Sequence, residues 1–116
     1  SCFYTHGAFL QQDPLTVQAL ATAVVRALKW LQTAGPSDMM KVIPESFVLG
    51  DRALYLTAIN KGREAVSPNG VMPKEGPVIA YGLFNKLKSA TDVIRIDLGK
   101  TYTNDFALLA NAHFKS

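Results

Sequence analysis

The sequence predicts an α/β chain that is mostly helical over these residues, with one N-terminal strand followed by about five helices. Three observations lead there. Apolar residues recur at three- and four-residue intervals over long segments, capping residues and prolines punctuate those segments, and β-forming residues gather at Cys2–Thr5.

Cys2–Thr5 is short, aromatic and β-branched at its end, and His6–Gly7 closes it, so a strand is expected there. A brief helical turn follows at Ala8–Gln11. Asp13 before Pro14 pairs a capping acceptor with the residue best tolerated at the first helical position, because the missing N–H of proline would be unpaired there anyway. From Pro14 to Ala34, Leu20, Val24, Ala27, Leu28 and Leu31 share one face while Gln18, Thr22, Arg26, Lys29 and Gln32 occupy the other, an amphipathic helix of about six turns. Gly35 is expected to end it in the left-handed region, with Pro36 forbidding continuation and Ser37 capping a short helix that stops near Pro44.

A third helix starts at Asp51, with Leu54, Tyr55, Ala58 and Ile59 inward and Arg52, Asn60, Lys61 and Arg63 outward. Ser67–Gly70 has turn chemistry, since proline fixes φ and Asn-Gly accepts positive φ. Val78, Ile79, Leu83, Phe84 and Leu87 then predict a helix with Pro77 in its first turn. Val93–Leu98 alternates like a half-buried strand, with a linker as the rival reading. A last helix is capped by Thr103 or Asn104 and turns Phe106, Leu109 and Ala110 inward.

At 116 residues the chain is a single segment, too short for two full domains, and it contains no repeat. Arg26 and Lys29 interrupt its most hydrophobic stretch, so no membrane span is read. The net charge of +3 is dispersed without a basic run, which does not point to nucleic acid. Cys2 is the lone cysteine, which excludes an internal disulfide and zinc patterns rich in Cys; it is expected to be a buried, inert thiol. His6 and His113 have no ligand spacing, no glycine run forms a phosphate loop, and the carboxylates are scattered. No catalytic residue, metal ligand or cofactor site is therefore assigned, and the chain is not expected to be an enzyme. Trp30, beside Leu31, is expected in the core. A single strand followed by helices cannot complete an open sheet, and neither an initiator Met nor a signal peptide precedes Cys2; the expectation is the remainder of something longer.

The run DPLTVQALATAVVRALKWLQTAGPSDMMKVIPESFVLGDRALYLTAINK resembles the C-terminal part of periplasmic substrate-binding proteins of ABC importers, in the group that handles nitrate, sulfonates, taurine and thiamine-pyrimidine precursors. SPNGVMPKEGP and DLGKTYTNDFA resemble later segments of the same family, so the likeness runs from about Cys2 to Ala110. It implies a two-lobed type 2 periplasmic-binding-protein fold of which one lobe and half of the other lie outside these residues. Residues 1–13 would then form an inter-lobe crossover strand and turn, and residues 14–116 the remainder of the first lobe. The resemblance further implies a periplasmic protein that captures a small-molecule ligand and presents it to an ABC permease in the membrane, with no cofactor. Tyr4, Thr5, His6 and Gly7 would be the ligand-binding or hinge residues. The rival readings are a stand-alone helical interaction module and a fragment of a thiamine-pyrimidine-synthase-like enzyme of the same fold. With its sheet mostly absent, the isolated chain is expected to self-associate through Phe3, Leu20, Val24, Leu28 and Leu31.

Overall fold

Two aspartates start the two longest early helices. In the computed structural model, which describes residues 1–87 and 95–114, the Asp13 carboxylate accepts from the Thr16 N–H at 3.3 Å and opens α2 (Pro14–Thr33). Asp51 accepts from the Leu54 N–H at 2.9 Å and opens α4 (Arg52–Gly62). Each carboxylate satisfies an N–H that the first helical turn leaves without a backbone partner. Ahead of α2 lies the short α1 (Gly7–Gln12), and after it come α3 (Pro36–Val42), α5 (Glu75–Leu87) and α6 (Asp105–His113). Turns of 3₁₀ helix stand at Glu45–Phe47, Arg63–Ala65 and Leu98–Lys100.

The described residues contain no β-strand. Cys2–Thr5, expected as a strand, is without regular secondary structure because no neighbouring strand among the described residues offers it a ladder. Of Val93–Leu98, Val93 and Ile94 lie outside the described residues; Arg95–Asp97 form no strand, and Asp97 caps the turn at Leu98–Lys100 by accepting from Gly99 N–H at 3.1 Å.

Gly35 departs from its expected role. Its φ of −83° lies outside the left-handed region, and it serves as the residue before α3, with Pro36 at the first helical position. The Asp38 carboxylate reaches back to accept the Gly35 N–H at 3.1 Å, so the cap comes from Asp38 and not from Ser37. Among the described residues the left-handed positions are instead Gly50 (φ 84°), Gly70 (φ 73°) and Leu49 (φ 52°).

Packing centres on α2 against α6, with α1 adding to α2. Between them runs a strap, Ser67–Met72. Its Gly70 is so close to α2 that a Cβ there would stand 3.3 Å from Val25 Cγ2 and 3.5 Å from Leu28 Cδ1. Asn111 Nδ2 of α6 donates to the Asn69 carbonyl at 2.8 Å. Asn104, expected to cap α6, makes no side-chain cap bond and grips the strap: Oδ1 accepts from Met72 N–H at 2.9 Å and Nδ2 donates to Met72 C=O at 3.0 Å. Thr103 Oγ1 accepts from the Asp105 N–H at 3.2 Å.

The inward face of α2 is also rotated from the expected one. Val25 is the fully buried side chain, whereas Leu20 and Ala27 are exposed and Val24, Leu28 and Leu31 are half-buried. Gln18 and Thr22, expected in water, face α6, because Gln18 Nε2 donates to the Phe106 carbonyl at 2.9 Å and to Thr22 Oγ1 at 3.2 Å. A polar pair is tolerated there because the Gln18 amide finds acceptors for its N–H groups in the Phe106 carbonyl and the Thr22 hydroxyl. Leu109 of α6 is exposed while Ala110 is buried, and Leu54 and Ala58 of α4 are exposed. Arg63, expected outward, is half-buried and donates to the Ala34 carbonyl at 2.8 Å and to Asn60 Oδ1 at 3.2 Å, which ties the end of α4 to the α2–α3 junction. Cys2 is exposed, not buried, and Trp30 is 40% exposed.

The molecule is open. Its radius of gyration is 17.7 Å, where a compact chain near this length has about 13 Å. Its accessible surface is 9211 Å², against about 6,200 Å² for a folded monomer of this mass. No helix among the described residues is long and apolar enough to cross a membrane.

Candidate functional site

Tyr4, Thr5 and His6 form the exposed approach to α1, and the exposed Gly7 is its first residue. His6 has extended backbone (φ −76°, ψ 142°), and its carbonyl starts the helix by accepting from Phe9 N–H at 3.0 Å and Leu10 N–H at 3.4 Å. Tyr4 is 94% exposed. Gly7 lets the backbone be approached closely, and a Cβ placed there would meet nothing within 4 Å. The segment therefore presents a phenol, a hydroxyl, an imidazole and an open backbone to solvent. Among the described residues no opposing wall closes over it.

A second concave surface lies between α2 and α6. Gln18, Thr22 and Arg26, one turn apart along α2, face His113 and Phe114, whose rings meet edge to face at 5.1 Å. The groove is shallow and open. Gln18 is already committed to Thr22 and Phe106, so the exposed Arg26 and His113 are its remaining polar groups. Among the described residues no three His, Cys, Asp or Glu side chains come close enough to hold a metal ion.

The side chains of Gln18, Asn104 and Asn111 and the main-chain carbonyl of Asn69 organise this centre, and their sequence spacing does not mark them as partners. Asn69 and Asn104 stand in segments with turn and cap chemistry, Ser67–Gly70 and Thr103–Asn104. Turn and cap chemistry marks these positions as local, and nothing in it tells that Asn104 would reach across 32 positions to Met72.

No family model matches the chain, and no curated protein matches it. A solved structure of a protein from Bordetella bronchiseptica RB50 is similar over 94% of this chain, with 38% sequence identity and a TM-score of 0.87. The chain spans 34% of that protein's length. The helical arrangement described above thus recurs, almost entire, inside a bacterial chain about three times as long.

Proposed function

We propose that the chain is the C-terminal segment of the solute-binding component of an ABC-type importer, an exported protein that captures a small molecule between two hinged lobes and presents it to a membrane permease. The observation that carries the proposal is the ordered series of segments from DPLTVQALATAVVRALKW through GDRALY to SPNGVMPKEGP and TYTNDFA. Two of its punctuation residues, Asp13 and Asp51, act as helix caps, and a third, Asn104, anchors the strap. Support also comes from the openness of the molecule, which suits one portion of a larger body, and from its likeness to part of a longer bacterial protein. On this reading residues 1–13 cross between lobes, and residues 14–116 complete the first lobe.

Within the proposed site, Thr5 supplies a hydroxyl and His6 a donor or acceptor to a ligand held between the lobes, while Tyr4 and Gly7 flank them as contact or hinge residues. Capture and closure require no bond making, so this reading assigns no catalytic residue and no cofactor. The test is calorimetry of the full-length protein with nitrate, an alkyl sulfonate, taurine and an aminopyrimidine, followed by Thr5→Val and His6→Ala. Loss of one buried ligand hydrogen bond is expected to weaken binding by about 1–3 kcal/mol with little change in melting of the unliganded protein. Unchanged affinity in both variants removes the segment from the site. Failure to bind any of the four ligands sinks the solute-binding reading for this group.

The mostly helical content favours one second reading, a stand-alone helical interaction module. That reading requires the isolated chain to be a stable monomer whose Phe3, Leu20 and α5 side chains remain in water without association.

A further inference from the structure

Helices α2 and α6 pack against each other, yet beside their contact lies a groove that no side chain fills. Ala19 and Ala23 of α2 and Ala112 of α6 contribute only methyl groups to its lining, where longer side chains would interdigitate. Its wider part holds about 440 Å³, within the roughly 300–1,000 Å³ that small-molecule sites occupy. The Gln18 bond to the Phe106 carbonyl ties the two helices together beside it. Phe114 is half-buried there, its ring set edge to face against His113.

The charge around the groove is one-sided. From Pro14 to Thr33, α2 carries Arg26 and Lys29 and no carboxylate, and the one acid of α6, Asp105, stands at the opposite end of that helix from His113. Arg52 pairs with Glu45 and Arg63 donates to the Ala34 carbonyl, whereas Arg26 makes no hydrogen bond or ion pair with any described residue. The Thr22 hydroxyl is also uncommitted as a donor. Thr33 and Thr57 donate to carbonyls of their own helices, while Thr22 Oγ1 accepts from Gln18 and donates to no described group. An arginine alone on a helix is a solvated cation. Here a guanidinium, a hydroxyl and an imidazole border one apolar hollow, the combination that holds an anion with an apolar body.

We infer that the α2–α6 groove binds a small organic carboxylate, its head on Arg26 beside His113 and its apolar body over Ala19 and Ala23 against the Phe114 ring. Charge complementarity selects the anion, because the planar guanidinium offers two parallel N–H groups that match the two oxygens of a carboxylate. The alanines and Phe114 select a body of one ring or a few methylenes. This groove shares no residue with Tyr4–Gly7, so the inference does not rest on the solute-binding reading.

The experiment follows phenylacetate by saturation-transfer NMR on the full-length protein. Phenethyl alcohol supplies the same ring without the charge, and acetate the charge without the ring. Phenylacetate is expected to bind at least about tenfold more tightly than either. Arg26→Gln is expected to weaken phenylacetate by about tenfold, and Arg26→Lys, which keeps the charge but not the fork, by less. Ala23→Leu fills the groove from an exposed position and is expected to abolish binding with the melting temperature unchanged. Lys61→Gln removes the same charge from α4 and is expected to bind as the wild type does. Equal binding of phenylacetate and phenethyl alcohol overturns the inference, as does wild-type affinity in both Arg26→Gln and Ala23→Leu. A loss in Lys61→Gln as large as that in Arg26→Gln would make the attraction one of net charge and equally overturn it. Should Ala23→Leu lower the melting temperature, the order of wild type, Arg26→Lys and Arg26→Gln decides alone. A full-length protein that binds no phenylacetate overturns the inference outright.

Discussion

Helix α2 and helix α5 are both rich in apolar residues, yet α2 is covered along one side and α5 stands largely in water. On α2, Val25 is 1% exposed and lies against the strap at Gly70, and on the facing α6 Ala110 is 1% exposed. On α5, Ile79, Leu83 and Leu87 follow one another at four-residue spacing and are 69%, 60% and 81% exposed. The difference does not lie in helix-forming tendency. It lies in what stands opposite: α2 meets small residues and a strap whose backbone is satisfied by Asn104 and Asn111, whereas α5 has no comparable helix partner among the described residues. A helix with apolar groups around most of its circumference is ordinarily enclosed, so the contrast marks the Ile79, Leu83 and Leu87 stripe of α5, like Cys2–Thr5, as an apolar surface left exposed.

The contrast is tested most severely at its buried end. Val25→Asp places an unpaired charge where no water reaches, and the isolated chain is expected to lose more than about 3 kcal/mol, enough to abolish a cooperative thermal transition followed by circular dichroism. A variant that melts normally would show that the α2–α6 seam is not the folding core.

Next in size is the strap. Asn104→Ala removes both bonds to Met72 and leaves a half-buried backbone pair unmatched, an expected cost of about 1–3 kcal/mol in denaturant unfolding. Asn104→Asp retains the acceptor for Met72 N–H but not the donor for its carbonyl. It should fall between wild type and alanine. If the two variants equal wild type, the strap is not part of the seam, and the division between covered and uncovered regions must be redrawn.

Helix starts contribute less. Asp13→Ala is expected to cost about 1 kcal/mol through the lost bond to Thr16, and Asp13→Asn to restore most of it. The smallest change belongs to the exposed helix: Leu83→Ser should alter the melting of the isolated chain by less than about 0.5 kcal/mol while reducing its self-association in sedimentation velocity. A loss of several kilocalories there would mean that α5 already packs within the chain, and the comparison would fail.

How far the sequence reaches can be judged at particular residues. Asp13-Pro14, Asp51 and Pro77 announce helices that begin within a residue or two of their expected starts, because a cap is a contact between groups three positions apart. Ser67–Gly70 turns as its residues require, with Gly70 N–H donating to Ser67 Oγ at 2.9 Å and φ positive at Gly70. Gly35 misleads, since the same Gly-Pro pair serves equally to end one helix or to start the next, and Asp38 tips it to the second use. Of the proposed site, the sequence marks Tyr4–Gly7 as a chemically equipped segment. It cannot supply the wall that a site needs, because that wall is not local.

By itself, then, the sequence determined most of the helices, the caps at Asp13 and Asp51, the Ser67–Gly70 turn and the β-forming character of Cys2–Thr5, all of which depend on backbone preferences and on contacts a few positions apart. Only the tertiary structure decided that Val25 and not Leu20 faces inward, that Gln18 and Thr22 turn toward α6, that Asn104 clamps Met72, and that Cys2–Thr5 and the outer stripe of α5 are left in water. An amphipathic pattern gives the width of an apolar face, whereas the part of that face which is buried depends on which distant segment packs against it and which hydrogen bonds that segment brings.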